Sequence, residues 1–182
     1  DPDGMAAHLP MAQVLGCAVH LSASMPEPGL VAHQIGNRLV IGEPTGGQSE
    51  RALALAALLK SVGIDALVSE HIRRDLWQKL LANLTMNPLS ATTGATTDLL
   101  LADPVVRQLC RNMMAESLVI AEQLGCKPEV DTERLLTQFA KAGAIKTSML
   151  QDMEAGRPLE LDAIVRNVYT LGKALGLPCP SL

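Results

Sequence analysis

Leu76-Trp77-Gln78-Lys79-Leu80-Leu81-Ala82-Asn83-Leu84-Thr85-Met86-Asn87-Pro88-Leu89 sets a lysine and two asparagines, four residues apart, within an otherwise apolar helical stretch. Four residues advance a helix by slightly more than one turn, so Lys79, Asn83 and Asn87 fall on one stripe. An ammonium and two amides are seldom buried on one face unless something polar lies opposite them. A partner side chain, ordered water or a small polar ligand would each meet that need. A lysine in an apolar setting loses hydration of its charged form, which lowers its pKa from the reference of about 10.4. It can then deliver a proton to a developing alkoxide, a role worth roughly 10²–10⁴ in rate. Amides beside it would orient a carboxylate or hydroxyl without adding charge. The same spacing also fits a lysine that snorkels to water beside two helix-packing amides.

Outward from this stretch, the bulk composition narrows the class. A chain of 182 residues is long enough for one good core or two small domains. It is 48% hydrophobic and 19% charged, which fits a globular protein. Aromatic residues make up only 2%, so the core must come from Leu, Ala, Val, Ile and Met, a mix that favours helices. The net charge of −4, with no basic block and few rings to stack on bases, argues against a nucleic-acid partner. Cys17, Cys110, Cys126 and Cys179 form no CxxC pair, and His8, His20, His33 and His71 do not cluster with them. The expectation is reduced thiols in a cytoplasmic protein and no metal site. No apolar run is of membrane-spanning length and no signal peptide opens the sequence, so no membrane partner is expected. The sequence opens at Asp1 and stops at Leu182, just after Pro178-Cys179-Pro180, and both ends are expected to be cut.

Residues 1–70 read as strands plus one helix. Residues 14–20 suit a strand in a covered sheet. Pro28-Gly29 reads as a turn, and residues 30–33 and 38–41, separated by Ile35-Gly36-Asn37, suggest an antiparallel hairpin. The loop Gly42-Glu43-Pro44-Thr45-Gly46-Gly47 leads to a helix starting near Ser49, with Ala52, Leu55, Ala56, Leu59 and Val62 at helical spacing and Gly63 as its stop. Residues 65–68 look like a returning strand. Residues 71–182 read as helical almost throughout. The first helix meets Pro88, which is expected to end or kink it. Asp103-Pro104 is an N-cap followed by proline at the first helical position. The helix it starts has an apolar face of Val105, Val106, Leu109, Met113, Met114, Leu118, Ala121 and Leu124. Asp131 opens another, with Leu135, Leu136 and Phe139 inward. Residues 148–154 form a fourth, broken by Gly156-Arg157-Pro158. The last runs from about Glu160, with Leu161, Ile164, Val165, Val168 and Leu171 at core spacing.

A second polar cluster spans Thr147-Ser148-Met149-Leu150-Gln151-Asp152 and Gly156-Arg157-Pro158-Leu159-Glu160-Leu161-Asp162. Ser148 lies at or near a helix start, where a hydroxyl and free backbone amides together can hold a carboxylate, or where it serves as an ordinary N-cap. Glu160 sits where a carboxylate favours the helix dipole. Asp152 and Asp162 read as solvated helix positions.

Taken together, Trp77-Gln78-Lys79-Leu80, Asn83, Asn87-Pro88-Leu89, Ser148-Met149-Leu150-Gln151-Asp152 and Glu160-Leu161-Asp162 resemble the ketopantoate reductase (2-dehydropantoate 2-reductase) family. Upstream, Val14-Leu15-Gly16, Pro28-Gly29 and Leu39-Val40-Ile41-Gly42-Glu43 look like the closing strands of that family's nucleotide domain. The resemblance implies residues 1–70 as the end of a Rossmann-type α/β domain. It implies residues 71–182 as an all-α C-terminal domain of the 6-phosphogluconate dehydrogenase type. It further implies NADPH as cofactor and a small 2-keto acid as substrate. Lys79 would be the general acid, Asn83, Asn87 and Ser148 would contact the substrate, and Glu160 would support the site. The product would be pantoate, a precursor of pantothenate and coenzyme A.

The sequence departs from the family's pattern in three ways. It has no Gly-rich GxGxxG turn after an opening strand, so the phosphate-binding half and a further substrate-contacting asparagine are expected before Asp1. This segment alone is expected neither to bind NADPH tightly nor to turn over. Ile145 stands where a family member can place an asparagine toward the substrate, and Arg166 stands where a glycine is usual. The alternatives are a related reductase of another branched or bulky 2-keto acid, and a non-catalytic helical module for homodimerisation or small-acid binding.

Overall fold

A computed structural model of the chain describes residues 8–182; residues 1–7, where the expected domain of residues 1–70 begins, lie outside the described residues. After a 3-10 turn at Met11–Gln13, two long strands follow, β1 (Gly16–Glu27) and β2 (Leu30–Gly42). They pair antiparallel from Gly16↔Gly42 to Glu27↔Leu30 around the Pro28-Gly29 turn. This corrects the expected hairpin: residues 30–33 and 38–41 do not face each other but belong to one strand. Ile35-Gly36-Asn37 is an irregularity inside β2, where the register slips between His20 and Leu21. Gly36 has φ +78°, and a Cβ there would lie 2.4 Å from the carbonyl oxygen of His20. A glycine bulge and a two-residue hairpin turn both place a residue at positive φ, so Gly-Asn flanked by strand formers signals either one.

Ser49 caps α1 (Glu50–Ser61) by accepting from the Ala52 N–H at 3.3 Å, and Gly63 closes the helix end by donating to Lys60 O. β3 (Asp65–Val68) returns parallel to β2, with Arg38 opposite Asp65 and Ile41 opposite Val68. Among the described residues the sheet order is β1-β2-β3. Its core is small, with Ile41, Ala56 and Ala66 packed by Leu55, Leu59 and Val68. A charged clamp at the β2–α1 loop reinforces it. Arg51 grips Glu43 through two bonds of 2.7 and 2.5 Å and reaches back to Val14 O at 3.0 Å, while Ser49 Oγ donates to Glu43 at 2.5 Å. These donors, Arg51 first and then Ser49, hold the Glu43 carboxyl at about 2.

Contacts divide the chain into two units, one ending at Leu76 and the other spanning Trp77–Leu182. The second is helical and comprises most of α2 (Ile72–Thr93), then α3 (Thr97–Ala102), α4 (Pro104–Gln123), α5 (Thr132–Lys141), α6 (Ser148–Glu154) and α7 (Asn167–Ala174). Leu81, Leu84, Cys110, Met114, Ile120, Leu136, Met149 and Val168 share its core.

Of the two outcomes expected at Pro88, an end or a kink, the end does not occur: α2 continues to Thr93. Threonine hydroxyls line that end of the helix: Thr85 donates to Leu81 O, Thr92 to Pro88 O and Thr93 to Leu89 O, each at 2.7 Å. The last helix is not uniform either. Asp162–Arg166 is a π turn, with Asn167 N–H reaching Asp162 O, and it leads into α7. The wider turn changes the repeat, so Ile164, Val168 and Gly172 are the buried positions, and Leu161 (42% exposed) and Leu171 (39%) are not. Asp103 caps α4 as expected, accepting from Val105 N–H at 2.8 Å and Val106 N–H at 3.1 Å. Val105, expected on the apolar face of this helix, lies outside the core at 76% exposure. Asp131 caps α5, whose Glu133 takes Arg111 Nη2 at 3.0 Å and Arg107 Nη2 at 3.3 Å from α4. Among the described residues, no helix is long and apolar enough to cross a membrane, and no group of His, Cys, Asp and Glu could hold a metal ion.

Gly36→Ala meets both positive φ and a backbone oxygen, whereas Gly29→Ala (φ +85°) meets positive φ alone with nothing within 4 Å. Urea unfolding should show Gly29→Ala costing about 1–2 kcal/mol and Gly36→Ala clearly more. Glu133, held at about 2 by Arg111 and then Arg107, has a folded pKa below its unfolded value. Its contribution to stability is therefore present above the unfolded carboxylate range and lost as pH falls toward 2. The gap in thermal midpoint between wild type and Glu133→Gln should be open at neutral pH and close on acidification.

Candidate functional site

The polar stripe of α2 keeps its continuity because the helix does. Lys79, Asn83 and Asn87 succeed one another at about 6 Å along the axis, from the rise of 1.5 Å per residue. Lys79 and Asn83 are half-buried, and Asn87 is 5% exposed. Asn87 therefore lies in the wall of the helical unit, yet its amide has no hydrogen-bond partner among the described residues and is not sealed from the surface. A buried amide in that position is costly unless something outside the protein bonds to it. Leu81, opposite the stripe, and Leu84, on its flank, are both at 0% exposure. The burial of those leucines fixes the rotation of α2 and so aims the stripe. Near its start, Trp77 Nε1 is buried with no partner among the described residues.

Ser148 is the first residue of α6 rather than its cap. The cap is Thr147, whose Oγ1 accepts from Leu150 N–H at 3.2 Å. Ser148 is exposed and Met149 beside it is buried in the core that holds Leu81 and Leu84, so the α6 start is anchored while the serine hydroxyl faces out. With a helix-end amide already taken by Thr147, Ser148 offers its hydroxyl. Glu160 is exposed, just ahead of the π turn, and its backbone carbonyl accepts from Ile164 N–H at 3.0 Å. No hydrogen bond joins Ser148 or Glu160 to Asn83 or Asn87 among the described residues. The structure thus brings Lys79, Asn83 and Asn87 together on one face and leaves Ser148 and Glu160 on separate segments of the same unit. Ile145 is 48% exposed, and Arg166 pairs with Asp162 at 3.1 Å on the solvent side of the π turn.

Sequence reading missed the threonine and serine bonds that hold these segments. Thr97 (3% exposed) and Ser90 (0%) are buried polar residues with long-range or loop partners. Their only sequence signal is a hydroxyl where the helical pattern calls for an apolar residue.

A dinucleotide cofactor needs a glycine-rich turn whose free amides meet its pyrophosphate. The β2–α1 loop does not fit. Gly46 N–H is given to Glu43 O at 2.9 Å and Gly47 N–H to Glu70 O at 2.8 Å, and the ionised Glu43 would oppose a phosphate. No other strand–turn–helix junction of the described residues carries a glycine-rich cradle.

Residues 71–182 match the family model described as ketopantoate reductase PanE/ApbA C terminal. A 2-dehydropantoate 2-reductase of Mesorhizobium japonicum is 41% identical over 93% of this chain and 52% of its own length. The chain spans about half the length of the curated relatives it matches. A crystal structure from Ralstonia solanacearum MolK2 superposes with a TM-score of 0.92 at 44% identity, covering 100% of this chain and 56% of that one. The 2-dehydropantoate 2-reductase of Methylococcus capsulatus does so with a TM-score of 0.90 at 32% identity, covering 100% and 62%. On the family match over its helical part, and the fold shared along its whole length with these structures, this chain belongs to the ketopantoate reductase family.

Proposed function

We propose that the intact protein containing this chain is an NADPH-dependent 2-dehydropantoate 2-reductase, forming pantoate for pantothenate and coenzyme A synthesis in the cytoplasm. The observation that carries this reading is the α2 stripe, an ammonium and two amides in series, ending on a buried Asn87 amide without a hydrogen-bond partner among the described residues. Residues 1–70 would close a Rossmann domain, and residues 71–182 would supply the substrate and the proton. A homodimer is compatible with this reading.

Reduction of a 2-keto acid adds a hydride to the carbonyl carbon and a proton to its oxygen. NADPH, held by residues outside the described ones, is the source of the hydride. This chain's own groups account for the rest. Lys79 Nζ donates the proton to the developing alkoxide and is reprotonated from water. As the substrate oxygen gains negative charge, the ammonium interacts with it more strongly than with the neutral carbonyl, which is what lowers the barrier. Asn83 and Asn87 donate amide N–H groups to substrate oxygens, and Ser148 Oγ adds a further hydrogen bond. Glu160 supports the site near the lysine. Asn87 gains most from the substrate, since binding satisfies an amide that the fold leaves open.

A second reading has one observation in its favour. Ile145, three residues before Ser148, exposes about half of an apolar side chain (48%). It would suit a related 2-keto acid with a larger apolar substituent.

In the intact protein, Lys79→Ala should lower kcat by about 10²–10⁴ while NADPH binding, followed by fluorescence titration, stays unchanged; equal turnover would remove the proton-donor role. Asn87→Ala and Ser148→Ala should raise the KM for 2-dehydropantoate with little change in kcat. Unchanged kinetics in both would return them to packing and surface roles.

A further inference from the structure

Asn87 on α2 and Ser148 on α6 share no hydrogen bond, yet a run of bonds joins the segments that carry them. Ser90, one turn beyond Asn87 and fully buried, donates Oγ to Ala95 O at 2.7 Å, which folds the link 94–96 against the end of α2. Ala95 N–H donates to Thr93 Oγ1 at 3.3 Å. Thr97, two residues on and 3% exposed, then makes two contacts far along the sequence. Its N–H donates to Ile145 O at 3.0 Å and its Oγ1 to Gly143 O at 3.0 Å. Ile145 N–H closes on Gly143 O at 2.8 Å, so that carbonyl accepts from both Thr97 Oγ1 and Ile145 N–H. Two residues later Thr147 caps α6 and presents Ser148.

A threonine hydroxyl buried this deeply is retained only where it is bonded. A valine would fill the same space without that requirement, so the hydroxyl's contribution here is the tie to Gly143. The backbone bond to Ile145 alone would leave the loop free to pivot; the second bond, two residues away on the loop, removes that freedom. We infer that Thr97 is a positioning residue for substrate binding: it holds the loop 143–147, and with it Ser148 Oγ and the Ile145 side chain, in fixed relation to Asn87. This inference rests on the substrate-binding reading of Asn87 and Ser148 given above. The effect belongs on substrate affinity rather than on proton transfer, because Lys79 lies about three to four turns from the end of α2 that the network holds.

The test is steady-state kinetics of the intact protein with 2-dehydropantoate. Thr97→Val removes the hydroxyl but keeps the shape and the N–H; Thr97→Ser keeps both bonds. Thr97→Val should raise KM about five- to tenfold, the change expected for one lost hydrogen bond, with kcat and the NADPH Kd within about twofold. Thr97→Ser should match wild type. Combining Thr97→Val with Ser148→Ala should raise KM by less than the product of the two single effects, because the first acts in part through the second. An unchanged KM in Thr97→Val, with KM raised in Ser148→Ala, overturns the positioning role and leaves the site reading intact. Unchanged KM in both overturns the site reading and the positioning role with it. A loss of kcat and thermal midpoint without a KM change makes Thr97 a packing residue and overturns the inference. Should Thr97→Val not fold, Thr97→Cys, with its weaker donor, carries the same expectation.

Discussion

The helical unit depends on α2 passing through Pro88 without breaking. A proline inside a helix removes one backbone bond and crowds the preceding carbonyl, at a cost of about 3 kcal/mol. On the other side stand Leu81 and Leu84, both at 0% exposure, with Met86 and Ala91 nearly so. Burying a leucine contributes about 1.5–3 kcal/mol, so the two leucines alone match or exceed the cost of the proline. The helix therefore continues, and Lys79, Asn83 and Asn87 stay in line. Had α2 ended at residue 87, Asn87 would sit at a frayed terminus in water instead of in the wall of the unit.

The two units are held by different means. In the helical unit, aliphatic and methionine side chains from every helix converge on one core, in keeping with a chain that has few rings to pack. The sheet unit has a much smaller core of Ile41, Ala56 and Ala66, and the bidentate Arg51–Glu43 pair with Ser49 ties its β2–α1 loop. Exposed ion pairs contribute little by themselves. Their use here is geometric: they fix where the loop turns and occupy the groups that a phosphate would otherwise meet.

Polar groups in the helical unit fall into two kinds. Ser90, Thr97 and Thr147 are satisfied within the protein and act as ties between segments. Asn87 is buried to a similar degree and has no such tie among the described residues. That contrast, among residues of like size and burial, separates hydrogen-bonding groups that build the fold from one that the fold leaves available.

Local signals in the sequence determined the helix and strand boundaries where capping chemistry is explicit. Ser49, Asp103 and Asp131 each cap the helix that follows them, and 65–68 is the strand its residues suggested, because these choices depend on neighbours within one turn. The stripe at Lys79 was legible for the same reason, since periodicity alone puts its members on one face. Tertiary structure decided the rest. Whether Gly36 turns the chain or bulges a strand depends on what lies across from it, and His20 and Leu21 of β1 answer that. Whether Leu161 and Leu171 enter the core depends on a π turn that propensity does not encode. Whether Pro88 breaks α2 depends on how much apolar surface the other helices cover. The tie from Thr97 to residues 143 and 145 spans more than forty positions, and no local pattern reaches that far; only the packing of α2, α3 and α6 around one core brings its ends together.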